Sequence, residues 1–179
     1  MKLEDLDFLA KEDKDLVAFL LDNYEVTLDL DEKIKELGLA HLEENRIVVN
    51  VLKKRTKNRK IFLSVFFHEL SHIIRFRQRP SRYVVYTHNE TITSVKSTIK
   101  VIKSLYKEEL FTDILGEKLA KKYLGDNFRY HQGYTNPEMS VKSLFLRNNR
   151  VFQQLMAALL DDSIDNGKKL NKKLRGIVS

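Results

Sequence analysis

The stretch Ile61-Phe-Leu-Ser-Val-Phe-Phe-His68-Glu69-Leu-Ser-His72-Ile-Ile74 decides how this chain is read. Wound at helical pitch it is apolar around most of its circumference, which marks a buried helix, and Pro80 stops it from running much further. Inside it lies the pattern H-E-x-x-H. Residues four apart share a helix face, so the imidazoles of His68 and His72 can meet one metal ion, with Glu69 projecting beside them. Five His and thirteen Glu in the chain would produce this spacing by chance in roughly one comparable chain in a hundred. Burial therefore has to weigh the motif. The bland alternative is a core helix whose histidines are capped by polar neighbours. Two His and a Glu set among Phe62, Leu63, Val65, Phe66, Phe67, Leu70, Ile73 and Ile74 are costly to bury without a compensating partner, and a zinc ion supplies that compensation.

Composition narrows the donor set. The chain has 179 residues, 42% hydrophobic and 32% charged, and no cysteine. Disulfides, thiolate metal sites, iron–sulfur clusters and cysteine nucleophiles are excluded, so any metal is held by His, Asp or Glu. A zinc site with two His needs a third protein ligand and an open position. The next helical stretch offers Glu109, four residues ahead of Asp113, on a face that continues to the small residues Gly116 and Ala120. That face allows close approach to the H-E-x-x-H helix, bringing Glu109 to the metal and Asp113 to a ligand imidazole, whose tautomer it would fix. A single Glu on a helix is more commonly an exposed charge; the pairing with Asp113 speaks for the site. Zinc would lower the pKa of its water, and Glu69 would act as general base and then deliver the proton to the leaving nitrogen.

Only two prolines and six glycines are present, so the chain is expected to be mostly helical and a single α+β domain over residues 1–179. It is divided into an N-terminal helix and first strand (1–45), a core (46–125) and a C-terminal helical region (126–179). Lys11 to Asn23 reads as a helix with an acidic opening. Glu25 to Leu30 alternates as a strand, Arg46 to Leu52 reads as a second strand, and Asp31 to Gly38 fits a short helix between them. Residues 81–88 fit a strand or extended loop. Ile92, Val95, Ile99 and Ile102 fall at helical spacing, and Tyr106 to Leu124 forms a further helix stopped by Gly125. An aromatic loop follows from Asp126 to Asn136. Pro137 and Glu138 suit a helix start, and Val151 to Leu160 forms another apolar helix before a lysine-rich tail expected to fray.

H-E-x-x-H followed on a later helix by E-x-x-x-D resembles the gluzincin class of zinc metallopeptidases. More narrowly, Arg46-Ile-Val-Val-Asn50, a basic loop, and Arg59 through His72 resemble the ImmA/IrrE family, in which a strand precedes the active-site helix; the likeness covers about residues 46–125. Ser71 stands where that family usually has Gly, and Glu109-Leu-Phe-Thr-Asp113 lacks its second Glu and its Ala. The resemblance implies a zincin-like domain with a small sheet packed on the H-E-x-x-H helix and a C-terminal helical cap. It also implies zinc held by His68, His72 and Glu109, Glu69 as general base, and a strand near Ile47 to Val51 bordering the cleft, where a substrate adds as an extra strand. The implied activity is hydrolysis of peptide bonds in a protein, with a regulatory role such as cleavage of a transcriptional repressor.

For the oxyanion donor the candidates are His131 and Tyr130, with Tyr134, in the loop 130–134, and His88 and Tyr86 after the helix; His41 reads as structural. The net charge is +7, from 32 Lys and Arg against 25 Asp and Glu. Much of it falls in Lys53, Lys54, Arg55, Lys57, Arg59 and Lys60 before the helix and in Arg75, Arg77, Arg79 and Arg82 at its end, where both groups are expected to border a cleft. An acidic protein substrate and nucleic acid both fit such charge, but no nucleic-acid recognition motif is evident. Two alternatives stand beside the peptidase: a zincin-like metal-binding regulator without proteolysis, and a basic nucleic-acid-binding protein. No apolar run is long enough to span a bilayer and the opening lacks the core of a signal peptide, so a cytoplasmic protein without membrane partners is expected.

Overall fold

In the computed structural model the described residues are 2–31, 34, 36–51, 56–78, 95–130, 154, 157–159, 161, 163–165 and 167–178. They form an α+β structure with a three-stranded mixed sheet. The chain divides into two compact units, Met1–Ser81 with Thr112–Gly133, and Arg82–Phe111 with Tyr134–Ser179. Among the described residues no helix is long and apolar enough to cross a membrane.

The first unit begins with helix α1, Lys11–Asn23, whose Glu12 and Asp13 lie in the first turn where the dipole favours acids. Strands β1 (Thr27–Asp31), β2 (Gly38–His41) and β3 (Arg46–Asn50) form a sheet in the order β1-β3-β2, with β1 parallel and β2 antiparallel to β3. The short helix expected over Asp31 to Gly38 is therefore corrected: Asp31 closes β1, Gly38 opens β2, and none of the described residues between is helical. A hairpin through Leu42 to Asn45 places β2 against β3, and Asn45 takes a positive φ of 49°, which its side chain tolerates.

Central β3 is buried on both faces, from Ile47 to Asn50, which explains why it reads as a continuous apolar run and not as an alternating one. Leu28 and Leu30 lie opposite Ile47 and Val49, and Ala40 and Gly38 lie opposite the same pair. Directly opposed residues share a face, so this face is large on β1 and β3 and small on β2. Helix α2, Arg59–Gln78, packs on β2 and β3. Asn58 caps it, its Oδ1 accepting the amides of Lys60 and Ile61 at 3.0 and 3.3 Å. Every residue from Phe62 to Ser71 is buried. Ser64 and Ser71 donate their hydroxyls to the carbonyls of Lys60 and Phe67, both at 2.7 Å, so neither adds an unsatisfied group to the core.

The two basic groups around α2 are partly structural. Arg59 grips buried Asp13 of α1 through two hydrogen bonds of 2.6 Å, which raise its already high pKa further. Arg77 donates to Asn45 Oδ1 at 2.9 Å and to the backbone carbonyls of Tyr24 and Glu25, tying the end of α2 to the entry of β1 and the hairpin turn. Both residues therefore have acceptors on the scaffold as well as exposed surface. Lys53, Lys54, Arg55, Arg79 and Arg82 lie outside the described residues.

Helix α3 runs unbroken over Val95–Leu124, so the two helices expected at 92–102 and 106–124 are one; neither Gly nor Pro interrupts the junction. Its part from Thr112 onward belongs to the first unit. The helix ends at Gly125, whose φ of +86° is left-handed and whose amide bonds to the Lys121 carbonyl at 2.9 Å. In the second unit, buried Lys103 of α3 donates its ammonium to the Asp161 carbonyl at 2.5 Å. Residues 154 and 157–159 are helical, as expected. The lysine-rich tail carries helix α4, Gly167–Val178, within the region expected to be helical, and its Leu170 is 1% exposed.

Candidate metal centre

α2 supplies two imidazoles and α3 faces them. His68 is buried, His72 half-buried, and their Nε2 atoms lie 3.0 Å apart. His68 Nδ1 lies 2.5 Å from Asp113 Oδ1, with both side chains almost fully buried. A carboxylate oxygen accepts, so Nδ1 of His68 carries the proton and its Nε2 presents a lone pair toward His72. His72 Nδ1 lies 3.3 Å from the Thr112 hydroxyl. The two outward nitrogens thus have partners on adjacent residues of α3, and the two inward nitrogens converge.

Glu109 sits one turn before Asp113 on the same helix. One donor atom each from His68, His72 and Glu109 lie within 4.8 Å of one another. These donors suit zinc. Tetrahedral zinc with bonds of ~2.0–2.1 Å spaces its ligand atoms by about 3.3 Å, close to the Nε2 separation, and nitrogen and carboxylate oxygen are the donors zinc accepts. A cation between the imidazoles also lets both Nε2 atoms present lone pairs, which would otherwise repel at that distance.

Close helix approach comes from the small residues of α3. A Cβ on Gly116 would lie 3.2 Å from the Phe67 carbonyl oxygen and 2.6 Å from the Tyr130 hydroxyl, and Ala120 is fully buried. Tyr130, a candidate oxyanion donor, therefore has its hydroxyl against Gly116. His131, Tyr134, His88 and Tyr86 lie outside the described residues. His41 ends β2, its Nδ1 4.0 Å from Glu44.

Glu69 is 4% exposed, and β2 lies directly over it: a Cβ on Gly38 would fall 2.9 Å from both its Cγ and its Oε1. Gly38 was not singled out from the sequence, because the segment reads there as a helix end. Thr112 was also missed; its signal was a hydroxyl three residues after Glu109, on the same helix face. No protein-family model matches the chain, and neither a curated protein nor a solved structure matches it.

Proposed function

We propose that this protein is a zinc-dependent metallopeptidase of gluzincin type, most like the ImmA/IrrE family, with a zincin-like domain and a protein substrate. The observation that carries the proposal is the convergence of His68, His72 and Glu109 within 4.8 Å. Two imidazoles and one carboxylate leave a position open, as in catalytic and not structural zinc sites. When bound, zinc supplies Lewis acidity and brings the pKa of a water toward neutrality.

The remaining chemistry belongs to the chain. Asp113 holds the proton on His68 Nδ1 and orients the ring; the Thr112 hydroxyl partners His72 Nδ1 in the same way. Glu69, next to His68 and covered by Gly38, accepts the proton of the attacking water on its carboxylate and delivers it to the amine nitrogen as the peptide bond breaks. Ser71, where the family usually has Gly, spends its hydroxyl on the Phe67 carbonyl and so fits a buried helix. By analogy with the family the substrate is a regulatory protein such as a transcriptional repressor, and the setting is cytoplasmic.

The test is hydrolysis of a proteome-derived peptide library, read by mass spectrometry of new termini, with zinc-loaded wild type and Glu69→Gln. Expected are new termini with wild type and a loss of at least ~10²-fold in Glu69→Gln with zinc content unchanged. Equal hydrolysis by both would contradict the role of Glu69. No hydrolysis by the zinc-loaded wild type would favour a metal-binding regulator over a peptidase.

A further inference from the structure

The second unit holds a cleft of about 800 Å³, within the ~300–1,000 Å³ typical of ligand pockets. One wall is α4, whose sequence Gly-Lys-Lys-Leu-Asn-Lys-Lys-Leu-Arg-Gly-Ile-Val carries five cations and no acid. Lys169, Lys172 and Lys173 line the cleft from that wall, while Ala157, Ala158 and Ile164 supply apolar surface. Among the described residues two acids lie near this charge. Asp165 pairs with Lys169 at 2.7 Å. Asp161 accepts the Ser163 hydroxyl at 2.6 Å and its amide at 2.9 Å; these bonds, with smaller contributions from the charges of Lys103 and Lys173, depress its pKa.

We infer that this cleft docks an acidic peptide segment of a partner protein, one that also carries apolar side chains. Exposed lysines beside an apolar floor complement a chain alternating carboxylates with leucine or isoleucine. The cleft is far larger than a single inorganic anion requires. Among the described residues neither an aromatic ring nor an arginine lines it, so these walls offer no stacking platform or planar fork of the kind typical of nucleic-acid grooves. Docking here does not depend on hydrolysis at α2.

The experiment uses the full chain and a fluorescein-labelled twelve-residue peptide of repeating Glu-Glu-Leu, read by anisotropy at constant ionic strength. Lys172→Glu/Lys173→Glu reverses two exposed charges in the cleft; Lys122→Glu/Lys168→Glu reverses two exposed charges outside it. Exposed Ala157→Glu places a carboxylate on the apolar side. Circular dichroism verifies the fold of each. Binding is expected to weaken about tenfold or more in the first double variant and in Ala157→Glu, and by less than about threefold in the control. Equal loss in both double variants, no binding by wild type, or tighter binding of an oligothymidylate of equal charge would each overturn the assignment.

Discussion

Gly38→Ala adds one methyl group at the point where β2 lies over Glu69. The new Cβ would fall 2.4 Å from Cγ1 of Val65 and 2.9 Å from Cγ and Oε1 of Glu69, whereas unstrained carbon contacts lie at ~3.5–4.0 Å. The Val65 and Glu69 side chains or the strand must yield by about 0.6–1.6 Å. Overpacking of this kind costs ~1–3 kcal/mol. The lower unfolded-state freedom of Ala returns ~0.4–1 kcal/mol, so the net loss is about 1–2 kcal/mol. In a chain of this size that lowers Tm by ~2–8 °C. On the proposed role of Glu69 as general base, displacing its carboxylate by about 1 Å costs on the order of 10²-fold in rate, while His68, His72 and Glu109 keep their side chains. Thermal melts, zinc competition and peptide hydrolysis on one preparation should show a lower Tm, unchanged zinc affinity and strongly reduced turnover. An unchanged Tm together with unchanged turnover would refute the close approach of β2 to Glu69.

Other perturbations address the supports around the site. Asp113→Asn should weaken zinc binding by ~10–100-fold in chelator competition, and Thr112→Val by a smaller factor; unaltered affinity in the Asp113 variant would contradict its hold on His68. Arg77→Met removes three hydrogen bonds to the β1 entry and hairpin turn, and because the residue is exposed its expected cost is about 1 kcal/mol by chemical denaturation. Ser163→Ala should raise the depressed pKa of Asp161 toward the ordinary carboxylate range, seen in an NMR titration. Because the folded pKa is the lower one, Asp161 contributes stability above the ordinary carboxylate pKa and loses it as pH falls through its depressed value.

What could be seen in the sequence followed periodicity. α1 has the bounds that its pattern suggests, β3 begins at Arg46 as expected, and His68, Glu69 and His72 lie on a helix whose residues from Phe62 to Ser71 are all buried. The candidate metal donors could be anticipated because spacing along two helices determines which side chains share a face. β2 escaped because a four-residue edge strand opening on Gly38 has little pattern of its own; its place comes from pairing with β3. α4 looked like a solvated tail because five cations mask an apolar spacing at Leu170, Leu174 and Ile177. The scaffold partners of Arg59 and Arg77, Asp13 and the carbonyls of Tyr24 and Glu25, could not be anticipated because they are distant in sequence. Long-range acceptors of this kind emerge only once the chain is folded.

Zinc stoichiometry bears most directly on the centre formed by α2 and α3. The full chain, dialysed against trace zinc and analysed by elemental mass spectrometry, is expected to retain one zinc per chain, with Glu109→Ala binding far more weakly. A wild-type chain that retains no zinc would contradict the metal centre itself, and Glu109→Ala binding as tightly as wild type would remove Glu109 from it.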